Sequence, residues 1–330
     1  MSTCFLLIPG GRIPASALAN LSRQTLALLQ KIAPASYEVK KQVLQSRQKR
    51  AMAHHNWLWR VIGKESFATP LGALEWQGIG APRLSDPMAR LHILTPAYQK
   101  APYTEQRLAP LMDILRRHLE SLQYRLQVWD NHYYLSRKKP WEITATVWTP
   151  RNHHKEDFAF FASEDREFVR IFNELQDLVH AWGQRQERPV TLWVDGFSPK
   201  PTRVRPCTYR LVQTDDPIVR GMAESVGLRP NMVISSRQTM PPTPPGDIIV
   251  VFEDFLPAYF QKDWKAWEQV APKLLERFTL LQQEKGRIRE IVPIYFGAQE
   301  AVTLLPIQGG ILSIFQKKQT TPVAQWLGED

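Results

Sequence analysis

Cysteine is scarce in this chain. Cys4 and Cys207 are the two among 330 residues, far apart and in no ligand spacing, which excludes a disulfide framework and a thiolate zinc site. Both read as small buried thiols. Long apolar runs are also missing. None approaches the roughly 20 residues of a membrane span. Residues 1–9 lack the basic start of a signal peptide, so they read as a first strand and the expected location is the cytoplasm. Aspartate is missing early and histidine late: the first aspartate is Asp86, and all eight histidines lie at or before His180. Pro9-Gly10-Gly11-Arg12 lacks the spacing of a phosphate-cradling glycine loop, and no nucleophile elbow occurs.

Hydrophobic residues, at 43% with 11 tryptophans, are ample for a folded core, and the length leaves room for two domains or one enlarged α/β domain. The net charge of +10 raises nucleic-acid binding as one possibility. The densest basic stretch is Lys40, Lys41, Arg47, Lys49 and Arg50, followed by His54, Trp57 and Trp59. No recognition motif accompanies it, and a solvated basic face accounts for the same residues.

Phe168, Ile171, Phe172, Leu175, Leu178, Val179 and Trp182 recur at helical spacing and predict an amphipathic helix over Glu167 to Trp182. Arg188-Pro189 breaks it, and Val190 to Val194 is a β-rich run closed by Asp195-Gly196. Apolar runs Phe5–Ile8, Val190–Val194, Ile248–Phe252 and Ile291–Phe296 are expected in one largely parallel sheet. Val302–Leu305 and Ile311–Phe315 would close it. Val39 to Ile62 reads as a basic helix, Phe67 to Ser85 as loop, and Pro272 as a kink in the helix after Trp264. From Asp86 a new unit begins: strand Leu91–Leu94, a helix capped by Thr104, and a hairpin turning at Asp130-Asn131. This β-α-β-β order describes a compact α+β module inserted in the larger sheet. His54 and His55, adjacent on a helix, should point about 100° apart and so make poor co-ligands for one metal.

The segment NELQDLVHAWGQRQERPVTLWVDG resembles the helix-loop-strand block of the bacterial RpfE-like regulatory proteins, relatives of cofactor-independent phosphoglycerate mutase. Asp215-Asp216-Pro217 with Arg220-Gly221-Met222-Ala223, Leu256-Pro257-Ala258-Tyr259 with the following Trp264 and Trp267, and Gly286-Arg287-Ile288 are similar to further blocks of that group, in order. The resemblance implies an alkaline-phosphatase-like α/β fold, with helices on both faces of a largely parallel sheet. The core would be residues 1–85 and 186–330, with 86–185 as the inserted α+β module.

Enzymes of that superfamily hold two divalent metals on Asp and His side chains from several strand ends, and use a Ser or Thr nucleophile. Here the first strand brings no carboxylate and the late strands bring no histidine. The expected function is therefore a non-catalytic regulatory or binding protein on a degenerate phosphoglycerate-mutase-like fold, acting through a protein partner or a phosphorylated ligand, with no cofactor, no catalytic residue and no metal ligand assigned. An active metal-dependent phosphotransferase and a basic nucleic-acid-binding protein are the alternatives. The candidate contact residues are His180, Arg185 and Arg188, which border the helix-to-strand loop, and Asp195, which closes the strand.

Overall fold

A computed structural model describes residues 2–33, 37–44, 52–62, 69–95, 100–101, 103–141, 143, 165–187, 189–197, 209–241, 246–284, 287–298, 300–307 and 322–329. In chain order the first elements are strands β1 (Ser2–Pro9) and β2 (Ile13–Pro14), helices α1 (Ala15–Leu18) and α2 (Arg23–Ile32), strand β3 (Tyr37–Val43), and helices α3 (Ala53–Ile62) and α4 (Leu71–Gly78). Next come β4 (Met88–Leu94), α5 (Glu105–Ser121), the hairpin of β5 (Arg125–Trp129) and β6 (His132–Ser136), α6 (Arg166–Arg185) and β7 (Thr191–Asp195). The rest are β8 (Tyr209–Gln213), α7 (Pro217–Ser225), β9 (Val233–Ile234), β10 (Asp247–Val251), α8 (Phe255–Gln261), α9 (Trp264–Gln283), β11 (Ile288–Phe296), β12 (Glu300–Pro306), α10 (Val323–Leu327) and β13 (Gly328–Glu329).

Seven strands form a central sheet in the order β3-β12-β11-β1-β10-β8-β9. The strands from β11 to β9 in that order are parallel, and β12 and β3 add an antiparallel edge. The two-residue period of β1 explains its central place. Cys4, Leu6 and Ile8 enter a core with α2, α8, α9 and α10, whereas Leu7 enters a second core, on the opposite face, with α3, α4 and α7. Four further strands make a separate antiparallel sheet, β5-β6-β4-β7, packed under α5 and α6.

Val190–Val194, expected in the parallel sheet, pairs instead with β4 in the four-stranded one. Leu192 and Val194 enter the core with α5 and α6, and Trp193 beside them is buried as well, so a strand apolar on both faces arises here without a parallel sheet. Val39 to Ile62 is not one helix: Tyr37–Val43 is an edge strand on β12, and α3 starts at Ala53. The stretch read as loop, Phe67 to Ser85, contains α4. Pro272 sits inside a continuous α9, and Thr104 precedes α5 without a side-chain cap. The turn at Asp130-Asn131 is as expected, both residues at positive φ (46° and 58°). Ile311–Phe315, Arg188, Cys207, Arg47, Lys49 and Arg50 lie outside the described residues.

Helix α4 joins the two sheets. Gly72 N donates to the Gly196 carbonyl at 2.8 Å, tying α4 to the end of β7. A Cβ on Gly78 would lie 1.7 Å from the Pro217 oxygen, and one on Gly221 1.9 Å from the Leu74 oxygen, so α4 and α7 cross with backbones in contact. The start of α7 is thereby fixed. None of the described helices is long and apolar enough to cross a membrane.

Candidate functional site

Ligands of open α/β sheets lie outside the carboxyl ends of the parallel strands. Here β8 ends into Thr214-Asp215-Asp216 and its neighbour β10 into Phe252-Glu253-Asp254. Asp216 is the N-cap of α7, followed by Pro217 at the first helical position. Its Oδ1 accepts from the N–H groups of Ile218 and Val219, at 2.7 and 3.3 Å. Its Oδ2 lies 3.2 Å from His54 Nε2 and 2.5 Å from His55 Nε2.

Both histidines sit in the first turn of α3, 1% and 2% exposed, with ring centroids 4.0 Å apart. The expectation that they diverge is thus corrected: imidazoles on adjacent residues reach one oxygen when it lies between their Cβ directions. Burial, with His55 beside it, pushes the His54 imidazole down to about 4 despite Asp216. Burial would raise Asp216, but the two histidines and their hydrogen bonds hold it well below the usual carboxylate range. The set is two imidazoles and one carboxylate, suited to a transition metal. Among the described residues it is the one such group of three.

Thr214 connects this cluster to Glu253, accepting from Asp216 N at 3.0 Å and donating to Glu253 Oε1 at 3.3 Å. Burial and then the nearby Asp216 charge push Glu253 up to about 8. Beyond it opens a cleft of about 330 Å³ whose polar walls include Asp215, Arg237, Glu253, Asp254, Lys273 and Arg277. Asp215 is engaged by the Ser236 hydroxyl and backbone N–H.

The carboxyl ends of β1 and β11 are different. They run into Gly10-Gly11 and Gly297, and the C-terminal segment covers them. Arg12, fully buried, donates to the carbonyls of Trp326 and Gly328 and to Glu300. Glu329 accepts from Ala298 N at 2.6 Å and from the Tyr259 hydroxyl at 3.3 Å, filling the space a Gly297 side chain would need.

The residues singled out from sequence lie elsewhere. His180 and Arg185 are exposed on the last turns of α6, before β7, and His180 Nε2 accepts from the Gln184 amide at 2.8 Å. Asp195 closes β7 and is fully buried, with Arg90 donating to both its oxygens at 2.7 and 3.0 Å and His92 Nε2 at 3.2 Å. Burial would raise the Asp195 carboxyl, but Arg90 and then His92 outweigh it and hold it at about 2. Glu75 of α4 stands 3.8 Å from Arg90. This network locks α4 to the small sheet.

No family model and no curated protein matches the chain. Among solved structures it is similar to the PH0037 protein from Pyrococcus horikoshii, with a TM-score of 0.52 and 10% identity over 93% of this chain and 88% of that one. That likeness shows a shared fold along nearly the whole chain. A cofactor-independent phosphoglycerate mutase from Thermoplasma acidophilum aligns at a TM-score of 0.46 with 11% identity, over 94% of this chain and 91% of the mutase, too low a score to carry an argument.

Proposed function

We propose that this chain is a non-catalytic binding protein on an alkaline-phosphatase-like fold of the RpfE-like kind, and that it takes a phosphorylated small molecule in the cleft at the ends of β8 and β10. The observation that carries the reading is the state of the other strand ends. Where a two-metal mechanism needs carboxylates and imidazoles on both sides of the reacting group, β1 and β11 offer glycines covered by Arg12 and Glu329. The residues described there do not fit a two-metal centre. Arg237, Lys273 and Arg277, set among Asp215, Glu253, Asp254 and Glu276, supply the N–H donors through which a phosphoryl group would be held. In the same scheme residues 86–185 are the inserted module, extended by β7, which pairs with it.

A second reading, a metal-dependent phosphotransferase, draws on the His54–His55–Asp216 cluster. Phosphatase and mutase assays with manganese, magnesium or zinc separate the two. The binding reading expects rates equal to buffer; turnover abolished by Asp216→Asn would establish the second.

A further inference from the structure

We infer that His54, His55 and Asp216 form a binding site for a single divalent transition-metal ion of the zinc class, with both imidazoles supplied by the first turn of one helix and the carboxylate by the N-cap of another. The inference goes beyond the ligand-binding reading and does not depend on what occupies the cleft.

Geometry is the first support. The three donor atoms lie within 4.8 Å of one another. Bonds of about 2.0–2.2 Å to a tetrahedral ion place ligand atoms roughly 3.3–3.6 Å apart. The 3.2 Å between His54 Nε2 and Asp216 Oδ2 almost has that spacing, and the 2.5 Å at His55 opens to it with a shift of about 1 Å. Preorganisation is the second. Asp216 Oδ1 is held by two backbone N–H groups, so the carboxylate is oriented before an ion arrives, as the outer partners of metal ligands do. The backbone contact between α4 and α7 fixes that N-terminus in turn.

The third support is what a purely structural role leaves unexplained. One imidazole would suffice to anchor α3 on Asp216. Two buried imidazoles crowd one oxygen, their Nε2 atoms 3.2 and 2.5 Å from Asp216 Oδ2. Imidazole and carboxylate donors favour zinc, cobalt, nickel or iron(II) over magnesium and calcium, which prefer all-oxygen shells. Three protein ligands leave a fourth position for water, for an oxygen of a bound ligand, or for Glu253, whose carboxyl group is bridged to Asp216 through Thr214.

The untagged full chain, stripped with a chelator, is titrated with cobalt(II) chloride and then with zinc chloride. The site predicts saturation at one cobalt per chain with the intense visible bands of four-coordinate cobalt, displacement by zinc, and no competition from magnesium. His54→Gln and His55→Gln should each weaken cobalt binding by more than about 100-fold, beyond the roughly 10–100-fold that losing an outer partner costs. Asp216→Asn, which keeps a capping oxygen for α7, should lose the ion as well. His118→Gln, at the half-buried His118–Glu174 pair of the other unit, should bind as the parent does. Substoichiometric cobalt, the weak bands of six-coordinate cobalt, or unchanged affinity in both histidine variants would overturn the inference. If those variants do not fold, the stoichiometry and spectrum of the unaltered chain decide it.

Discussion

At the scale of single residues, Asp195 shows how burial and charge combine. Its carboxyl is held at about 2 in the folded chain, against about 3.9 in an unfolded one. A depressed carboxylate contributes stability that is complete above about pH 4 and is lost as pH falls toward 2. Asp195→Asn should therefore flatten the acid limb of the stability profile. At neutral pH it should cost about 3–5 kcal/mol, because Arg90 keeps its burial and loses its bidentate partner. Urea titrations of both proteins at neutral pH and at pH 3 check this; a neutral-pH difference under about 1 kcal/mol would mean that Glu75 already neutralises Arg90.

The sequence offered Asp195 as a turn residue or contact, and its arginine partner was 105 positions away, out of reach of any local pattern. Asp216 was half legible. Asp followed by Pro announces a helix start, and α7 begins there. That the second oxygen of the same carboxylate receives two histidines 161 and 162 positions earlier is a matter of tertiary placement. The helical-wheel argument set His54 and His55 apart because it considered their Cβ directions without a partner between them.

At the scale of elements, local patterns succeeded where one side of a segment faces a core. The stripe on α6 is the clearest case: Phe168, Ile171, Leu175 and Val179 are fully buried. Leu175→Ala should cost about 2–5 kcal/mol in unfolding free energy. A value near zero by chemical denaturation would mean that the face is exposed in solution. The same reasoning failed for β3. Its burial is confined to its first half, with Lys40, Lys41 and Gln42 exposed, so no alternation marks it as a strand and the charges suit a solvated edge. It also failed for β7, since burial on two faces reports covering layers and carries no information on which sheet the strand joins. Helix α4 was missed because Gly72, Gly78 and the flanking Pro70 are loop signals. In the fold those glycines are the points where its backbone touches Gly196 and Pro217.

At the scale of the whole molecule, a mostly parallel central sheet with helices on both faces was legible from the order of elements, because strand-helix alternation is a sequential pattern; of the antiparallel sheet only the β-α-β-β block was, since its fourth strand β7 was expected in the parallel sheet. The site was not, since it is made where β8, β10 and α3 meet. Its position gives the functional reading its shape: along the carboxyl edge of the parallel sheet the ends of β1 and β11 are closed by Arg12, Trp326 and Glu329, and those of β8 and β10 keep a charged cleft beside a histidine–aspartate cluster. Phosphorus NMR of a panel of phosphate monoesters mixed with the zinc-supplied protein tests the central claim most directly, because it reports binding and conversion in one spectrum. A non-catalytic binding protein predicts a resonance that shifts or broadens, recovers when Arg237 and Lys273 are both changed to Ala, and gives rise to no new signal. Growth of inorganic phosphate or of an isomer of an added ester, or a whole panel indifferent to the protein, would contradict it.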